Sequence, residues 1–113
     1  MFTYLTQGCR MAYAAGIILA IVNPAFAQSS PAEQRGLAFV RANCARCHSV
    51  DKVTESPLSV APPFRTLHRR YPVEDLAESL GEGIRTGHPT MPEFRLDPGQ
   101  VGDVIAYLKT LER

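Results

Sequence analysis

The sequence predicts an all-α domain. Three segments carry helix signals, and no segment alternates apolar and polar residues for long enough to indicate a strand. The chain has only 113 residues. A domain this small has a marginal hydrophobic core unless a disulfide, a metal or a large apolar prosthetic group stabilises it.

The N-terminus has the pattern of an export signal. Arg10 precedes an apolar run at residues 11–22, and Ala25 and Ala27 give the small-x-small pattern of a cleavage site. The apolar run is shorter than the roughly 20 residues that a bilayer-spanning helix needs. We therefore expect residues 1–27 to be a cleaved signal peptide and residues 28–113 to be the working domain. That domain would be exported, to the periplasm in a Gram-negative cell, with no stable membrane insertion after cleavage.

The charge balance argues against nucleic acid as a partner. The formal net charge of the whole chain is +1. Loss of Arg10 with the signal would leave equal numbers of basic and acidic residues, and no basic run is present. We expect a monomer whose partners are other proteins.

The first helix is predicted to begin at Pro31. Ser30 would be its N-cap, and Glu33 would complete a capping box. Leu37, Val40 and Cys44 then share one face, which carries the helix towards the cysteines.

Two further helices are predicted after a loop at residues 51–63 that contains three prolines. A short one follows Pro72 and ends at Gly81 or Gly83. The last one has Asp97 as N-cap, with Pro98 at its first position and a capping-box glutamine three residues after the cap. Its apolar stripe consists of Val101, Val104, Ile105, Leu108 and Leu111.

The segment 44–48 reads C-A-R-C-H and holds the chemistry. If the first helix continued through it, Cys44, Cys47 and His48 would point from one face within a single turn. Both thiols would then reach the edge of a flat cofactor, and the imidazole would reach its centre. This spacing is the signature of c-type haem attachment, so we predict one haem c with thioether links to Cys44 and Cys47 and with His48 as an iron ligand.

Three other uses of the cysteines fit less well. A thiol redox site normally sits in a βαβ setting, which this sequence lacks. A structural zinc site needs four ligands at finger-like spacing. A disulfide between Cys44 and Cys47 would close a very short loop and constrain the unfolded chain little.

Met91 is the leading candidate for the other axial position of the iron. It is the only methionine after residue 27, and Pro89 and Pro92 stiffen the loop around it. An isolated methionine more often fills a gap in a core, but a haem iron that lacks a ligand reverses that preference. His88, on the same loop, and His68, in a basic segment that we expect at the surface, are the weaker alternatives.

With C-A-R-C-H near the N-terminus, "TMPEF" after it and an amphipathic last helix, the chain resembles the small bacterial class I cytochromes c. The resemblance implies that the terminal helices cross over a covalently bound haem, with Gly36, Phe39 and Tyr107 at the crossing. It also implies that a proline carbonyl accepts a hydrogen bond from the proximal histidine. "APPF" suggests Pro62 for that role, with Pro63 as the alternative. The residues that bind the haem propionates stay open among Arg65, Tyr71 and Arg85.

The resemblance implies an electron-transfer protein rather than an enzyme. A single-electron carrier would exchange electrons between redox partner proteins through Fe(III)/Fe(II), with low-spin His/Met ligation. The alternative is the haem domain of an enzyme complex. That domain would be the subunit through which electrons reach a dehydrogenase, or a gas-binding or peroxidase-like site whose Met91 is displaced. A ring formed by Arg46, Arg65, Arg69 and Arg70 is a candidate docking surface.

Overall fold

The computed structural model describes residues 27–83 and 90–113, which are helical and contain no strand. Three α-helices form: α1 at Pro31–Asn43, α2 at Leu76–Glu82 and α3 at Pro98–Thr110. Two 3₁₀ helices, Phe64–Arg69 and Val73–Asp75, lie between α1 and α2. The all-α prediction is confirmed. The predicted signal peptide lies outside the described residues, apart from Ala27.

Both long helices begin as predicted. Ser30 and Glu33 form a reciprocal capping box at the start of α1, with Pro31 in the first turn. Asp97 and Gln100 do the same for α3. Capping motifs are local, since each satisfies backbone N–H groups within four residues, and they can therefore be read from the sequence.

The second helix differs from its prediction at its start. Pro72 leads into the 3₁₀ turn Val73–Asp75, and α2 begins only at Leu76. The end agrees with one of the two expected glycines. Gly83 takes a left-handed conformation with φ 82°, which is accessible to glycine without strain.

α1 and α3 cross in close contact at Gly36. A Cβ atom placed on Gly36 would lie 2.0 Å from the carbonyl oxygen of Asp103 and 2.8 Å from Cβ of Tyr107. Only glycine permits this approach. The predicted contact of Gly36 with Tyr107 is present, whereas Phe39 lines a cavity beside the crossing.

Polar contacts fix the orientation of the crossing helices. Arg35 donates from Nε and Nη2 to the carboxylate of Asp103, at 2.7 and 2.8 Å. Tyr107 donates its hydroxyl hydrogen to the carbonyl oxygen of Val50, which ties α3 to the chain just after the cysteine segment. The Arg35 side chain is 63% exposed, so solvent screens the ion pair, which contributes more to geometry than to stability.

The core lies between the crossing helices and the middle of the chain. Its members are buried apolar residues from α1, α3 and the segments between them: Val40, Leu67, Val73, Leu96, Val104, Tyr107, Leu108 and Leu111. None of the helices in the described part of the chain is long and apolar enough to cross a membrane.

Candidate functional site

An apolar cavity opens beside the core. Its volume is about 90 Å³, and its mouth is open to solvent. Its walls are mostly aliphatic and aromatic side chains: Phe39, Val40, Phe64, Leu67, Leu76, Leu80, Phe94, Leu96, Val104 and Leu108. Cys44, His48 and Met91 also line it, and so does Tyr71, one of the three propionate candidates.

The cysteine segment forms its own turn rather than extending the helix. α1 ends at Asn43, and Cys44 is its C-cap. The backbone N–H groups of Cys47 and His48 then both donate to the carbonyl oxygen of Cys44, at 3.1 and 2.9 Å. The first helix therefore does not continue through residues 44–48, as the sequence analysis had supposed, but ends just before them. The i to i+4 hydrogen bond still directs Cys44 and His48 into the cavity.

Cys47 does not line this cavity but lies beside it. It lines a second hollow together with Cys44, His48 and Met91. Cys44 and Cys47 form no disulfide with each other. Burial, with a smaller effect from Cys47, raises the pKa of the Cys44 thiol to about 11. A thiol that stays protonated at neutral pH is a poor nucleophile, so the geometry does not favour a thiol redox site.

His48 is held by the carbonyl oxygen of Pro62. Its Nδ1 lies 2.8 Å from that oxygen, and the side chain is 7% exposed. A carbonyl oxygen only accepts, so Nδ1 carries the hydrogen and Nε2 carries the lone pair of the neutral ring. The ring of Phe64 packs 4.8 Å from the imidazole, centroid to centroid. Pro62, rather than Pro63, makes the contact that the resemblance implied.

A polar network that the sequence did not reveal braces the chain next to His48. Arg65 donates to Oγ of Ser49, to the carbonyl oxygen of Thr54 and to Oε1 of Glu55. Asp51 accepts from the backbone N–H groups of Val53 and Thr54 and from the Thr54 hydroxyl. Arg65, one of the three propionate candidates, therefore has its guanidinium committed to this loop.

Met91 is half-buried and faces both hollows with His48. His88 and Arg85 lie outside the described residues. His68 is half-buried rather than at the surface, and its Nδ1 has no hydrogen-bond partner in the described part of the chain. His68 does not line either hollow.

The donor set fits a haem better than a bare metal ion. Among residues 27–83 and 90–113, no group of three or more His, Cys, Asp or Glu side chains could hold a metal. A histidine, two thiols and a thioether around an apolar cavity instead suit an apolar macrocycle with axial ligands.

A covalent haem beside crossed helices defines the c-type cytochromes, and comparison with known proteins gives the family. Residues 31–108 match the family described as cytochrome C oxidase, cbb3-type, subunit III. The chain belongs to this family.

Two relatives carry cytochrome names. A cytochrome c-553-like protein of Synechocystis sp. is 30% identical over 77 residues, which cover 68% of this chain and 67% of the relative. A cytochrome c-552 of Bradyrhizobium diazoefficiens is 26% identical over 95 residues, or 84% of this chain and 89% of the relative. No solved structure matches the chain significantly.

These findings confirm the class predicted from the sequence. The protein is a small c-type cytochrome with one covalently bound haem c, and it transfers electrons rather than catalysing a reaction.

Proposed function

We propose that residues 28–113 form an exported carrier that shuttles single electrons between redox proteins. The observation that carries this proposal is the cavity, where Cys44, His48 and Met91 meet among apolar side chains. The signal-like pattern of residues 1–27 supports a location outside the cytoplasm, the periplasm in a Gram-negative cell. The carrier would be a monomer.

Cys44 and Cys47 would hold the haem through thioether bonds. His48 would bind the iron through Nε2, since Nδ1 donates its hydrogen to Pro62. That hydrogen bond fixes the tautomer and raises the basicity of the ligating nitrogen. When bound, the haem iron supplies one-electron exchange between its ferric and ferrous states.

Met91 would be the second side chain to bind the iron. A thioether sulfur prefers the softer ferrous iron, so Met91 should raise the reduction potential relative to a second histidine. The apolar walls would exclude water from the iron. With His48 and Met91 both bound to the iron, substrates would not reach the metal, which suits a carrier and not an enzyme.

The test is redox-titrated visible spectroscopy and mass spectrometry of protein matured in an export-competent host. We expect the mass of residues 28–113 plus one haem, a low-spin six-coordinate spectrum and slow carbon monoxide binding to the ferrous form. The variant His68→Gln is the control and should leave the spectrum unchanged, because His68 lies outside the cavity. An unmodified mature polypeptide, or a spectrum that changes in the control and not in Met91→Ala, would contradict the proposal.

A second function is favoured by the family description, which names a subunit of an oxidase. In that case the same haem site would transfer electrons within a stable enzyme complex. The two functions differ in the lifetime of the partner contact. Gel filtration of a gentle extract from the native cells separates them: a carrier elutes at its monomer size, whereas a subunit elutes with the complex.

A further inference from the structure

A second groove lies on the surface next to Pro62, and we call it the Arg69/Arg70 groove. The residues that matter for its chemistry are Val60, Pro62, Pro63, Thr66, Arg69 and Arg70. The prolines limit the motion of its floor, because each fixes its own φ angle. The groove is therefore a preformed surface that does not need ordering before it binds.

The two arginines are unneutralised. Arg35 and Arg65 form ion pairs with Asp103 and Glu55. Arg69 and Arg70 form none with any described residue, and no carboxylate lines the groove. All 11 acidic side chains of the sequence lie within residues 27–83 and 90–113, so the remaining residues hold no carboxylate for them. The groove carries positive charge that is complementary to an acidic surface.

The groove also presents an apolar contact. Val60 is 63% exposed and is one of three large hydrophobic residues exposed in the described part of the chain. An apolar contact bordered by charge is the arrangement of a protein–protein interface, in which burial contributes affinity and charge contributes orientation and rate.

The groove adjoins the histidine side of the cavity. Pro62 lines both, and its carbonyl oxygen lies 2.8 Å from Nδ1 of His48. The hollow beside Cys47 is separate from the groove, and its arginine is Arg46. A protein seated in the groove would therefore contact Pro62, whose carbonyl oxygen holds His48, and none of the other residues that line the hollow beside Cys47.

We propose that the Arg69/Arg70 groove docks an acidic surface of a redox partner, with an apolar side chain of that partner against Val60. This inference rests on the proposed electron-carrier function. A groove bordered by two charges and one exposed valine is small, so the contact would be weak and short-lived. Short residence suits a protein that must bind and release a partner for each electron.

The probe is a synthetic peptide with a leucine between two pairs of glutamates, titrated into the ferrous holoprotein and followed by amide NMR shifts at low ionic strength. We expect shifts concentrated at residues 59–70. Arg69→Gln/Arg70→Gln should weaken binding about fivefold or more, because two exposed charge contacts are lost.

The matched control is Arg41→Gln/Arg46→Gln, which removes the same charge outside the groove and should change affinity less than about twofold. Val60→Ser should weaken binding of the leucine peptide but not of an all-glutamate peptide. Equal weakening in both double variants, shifts centred on residues 42–48 and 91–94, or no binding at all would overturn the proposal.

The visible spectrum of each variant separates this inference from the proposed function. An intact His/Met spectrum without peptide binding contradicts the docking groove alone. A spectrum without His/Met character contradicts the carrier function, whatever the peptide does.

Discussion

The two sides of the cavity are built differently. On the His48 side, the imidazole donates to Pro62, and the following loop is fixed by Arg65 and Asp51. On the Met91 side, residues 91–94 make no backbone hydrogen bond to another described residue. The next backbone hydrogen bond along the chain is donated by the N–H of Leu96 to the carbonyl oxygen of Leu80, at 2.9 Å. One proposed iron ligand thus lies beside a polar network, and the other lies in a segment without backbone hydrogen bonds to the described residues.

This difference predicts which side of the cavity opens first. Segments with few hydrogen bonds and few buried contacts open locally at lower free energy than the rest of a protein. We expect the Met91 side to open while the His48 side stays intact. Exogenous ligands and partial unfolding should therefore act on Met91 before they act on His48.

The largest effect is expected for Gly36→Ala, which disturbs both sides at once. The added Cβ would meet the backbone of Asp103 at 2.0 Å, so α1 and α3 must separate. We expect a loss of about 2–4 kcal/mol in the free energy of unfolding, or failure to fold. Chemical denaturation of the holoprotein measures it.

Gly102→Ala is the matched control, because it lies on α3 with nothing within 4 Å of the new Cβ. It should be neutral or stabilising by up to about 1 kcal/mol. Equal effects of the two substitutions would show that the helices do not meet at Gly36.

Next in size is Met91→Ala, which affects one side only. We expect the reduction potential to fall by on the order of 0.1 V, within the roughly 0.8 V that axial ligation spans. The ferrous protein should bind carbon monoxide quickly, while the free energy of unfolding changes less than in Gly36→Ala. Redox titration and ligand-binding kinetics measure both effects. A variant that keeps the potential and still excludes carbon monoxide would show that another residue ligates.

A smaller effect is expected for Arg65→Gln, which acts on the opposite side. It removes the contacts to Ser49, Thr54 and Glu55. We expect a loss of about 1–2 kcal/mol and faster amide exchange in the loop that follows His48. Arg41→Gln, on the exposed surface of α1, is the control. If carbon monoxide binding accelerated as much as in Met91→Ala, the two sides would be coupled rather than independent.

The smallest effect is the pH dependence contributed by Asp51. Hydrogen bonds from the backbone and side chain of Thr54, and from the backbone of Val53, lower the pKa of Asp51 from 3.8 to about 2. The ionised carboxylate therefore stabilises the folded state fully above pH 4, and this contribution is lost as the pH falls towards 2.

Unfolding curves between pH 2 and 6 test this, by comparing the chain with Asp51→Asn. The difference in stability between them should shrink on acidification. Asp75→Asn is the control, since the Asp75 side chain makes no capping hydrogen bond. A difference that stays constant with pH would contradict the assignment.

The sequence predicted the features that depend on residues close together in the chain. Ser30 and Asp97 cap their helices through groups three residues away, and these interactions do not need the rest of the fold. The proposed ligands followed from spacing and elimination, since one methionine after residue 27 and one C-x-x-C-H segment left few choices.

The contacts that the sequence missed join distant residues. Arg65 reaches Ser49 across 16 positions, and Tyr107 reaches Val50 across 57. Arginine and tyrosine carry no local signal for such partners. The end of α1 at Asn43 was also missed, because Cys44 caps through its backbone, and the residue type gives no indication of this.

The crossing of α1 and α3 at Gly36 also implies an order of events during synthesis and folding. The partner of Arg35 lies 68 positions later, so α1 has no helix to dock against until nearly the whole polypeptide has been made. During that interval Cys44 and Cys47 are already present on a chain that has not closed around them. The late arrival of α3 thus leaves a period in which both thiols are accessible, before the native structure half-buries Cys44.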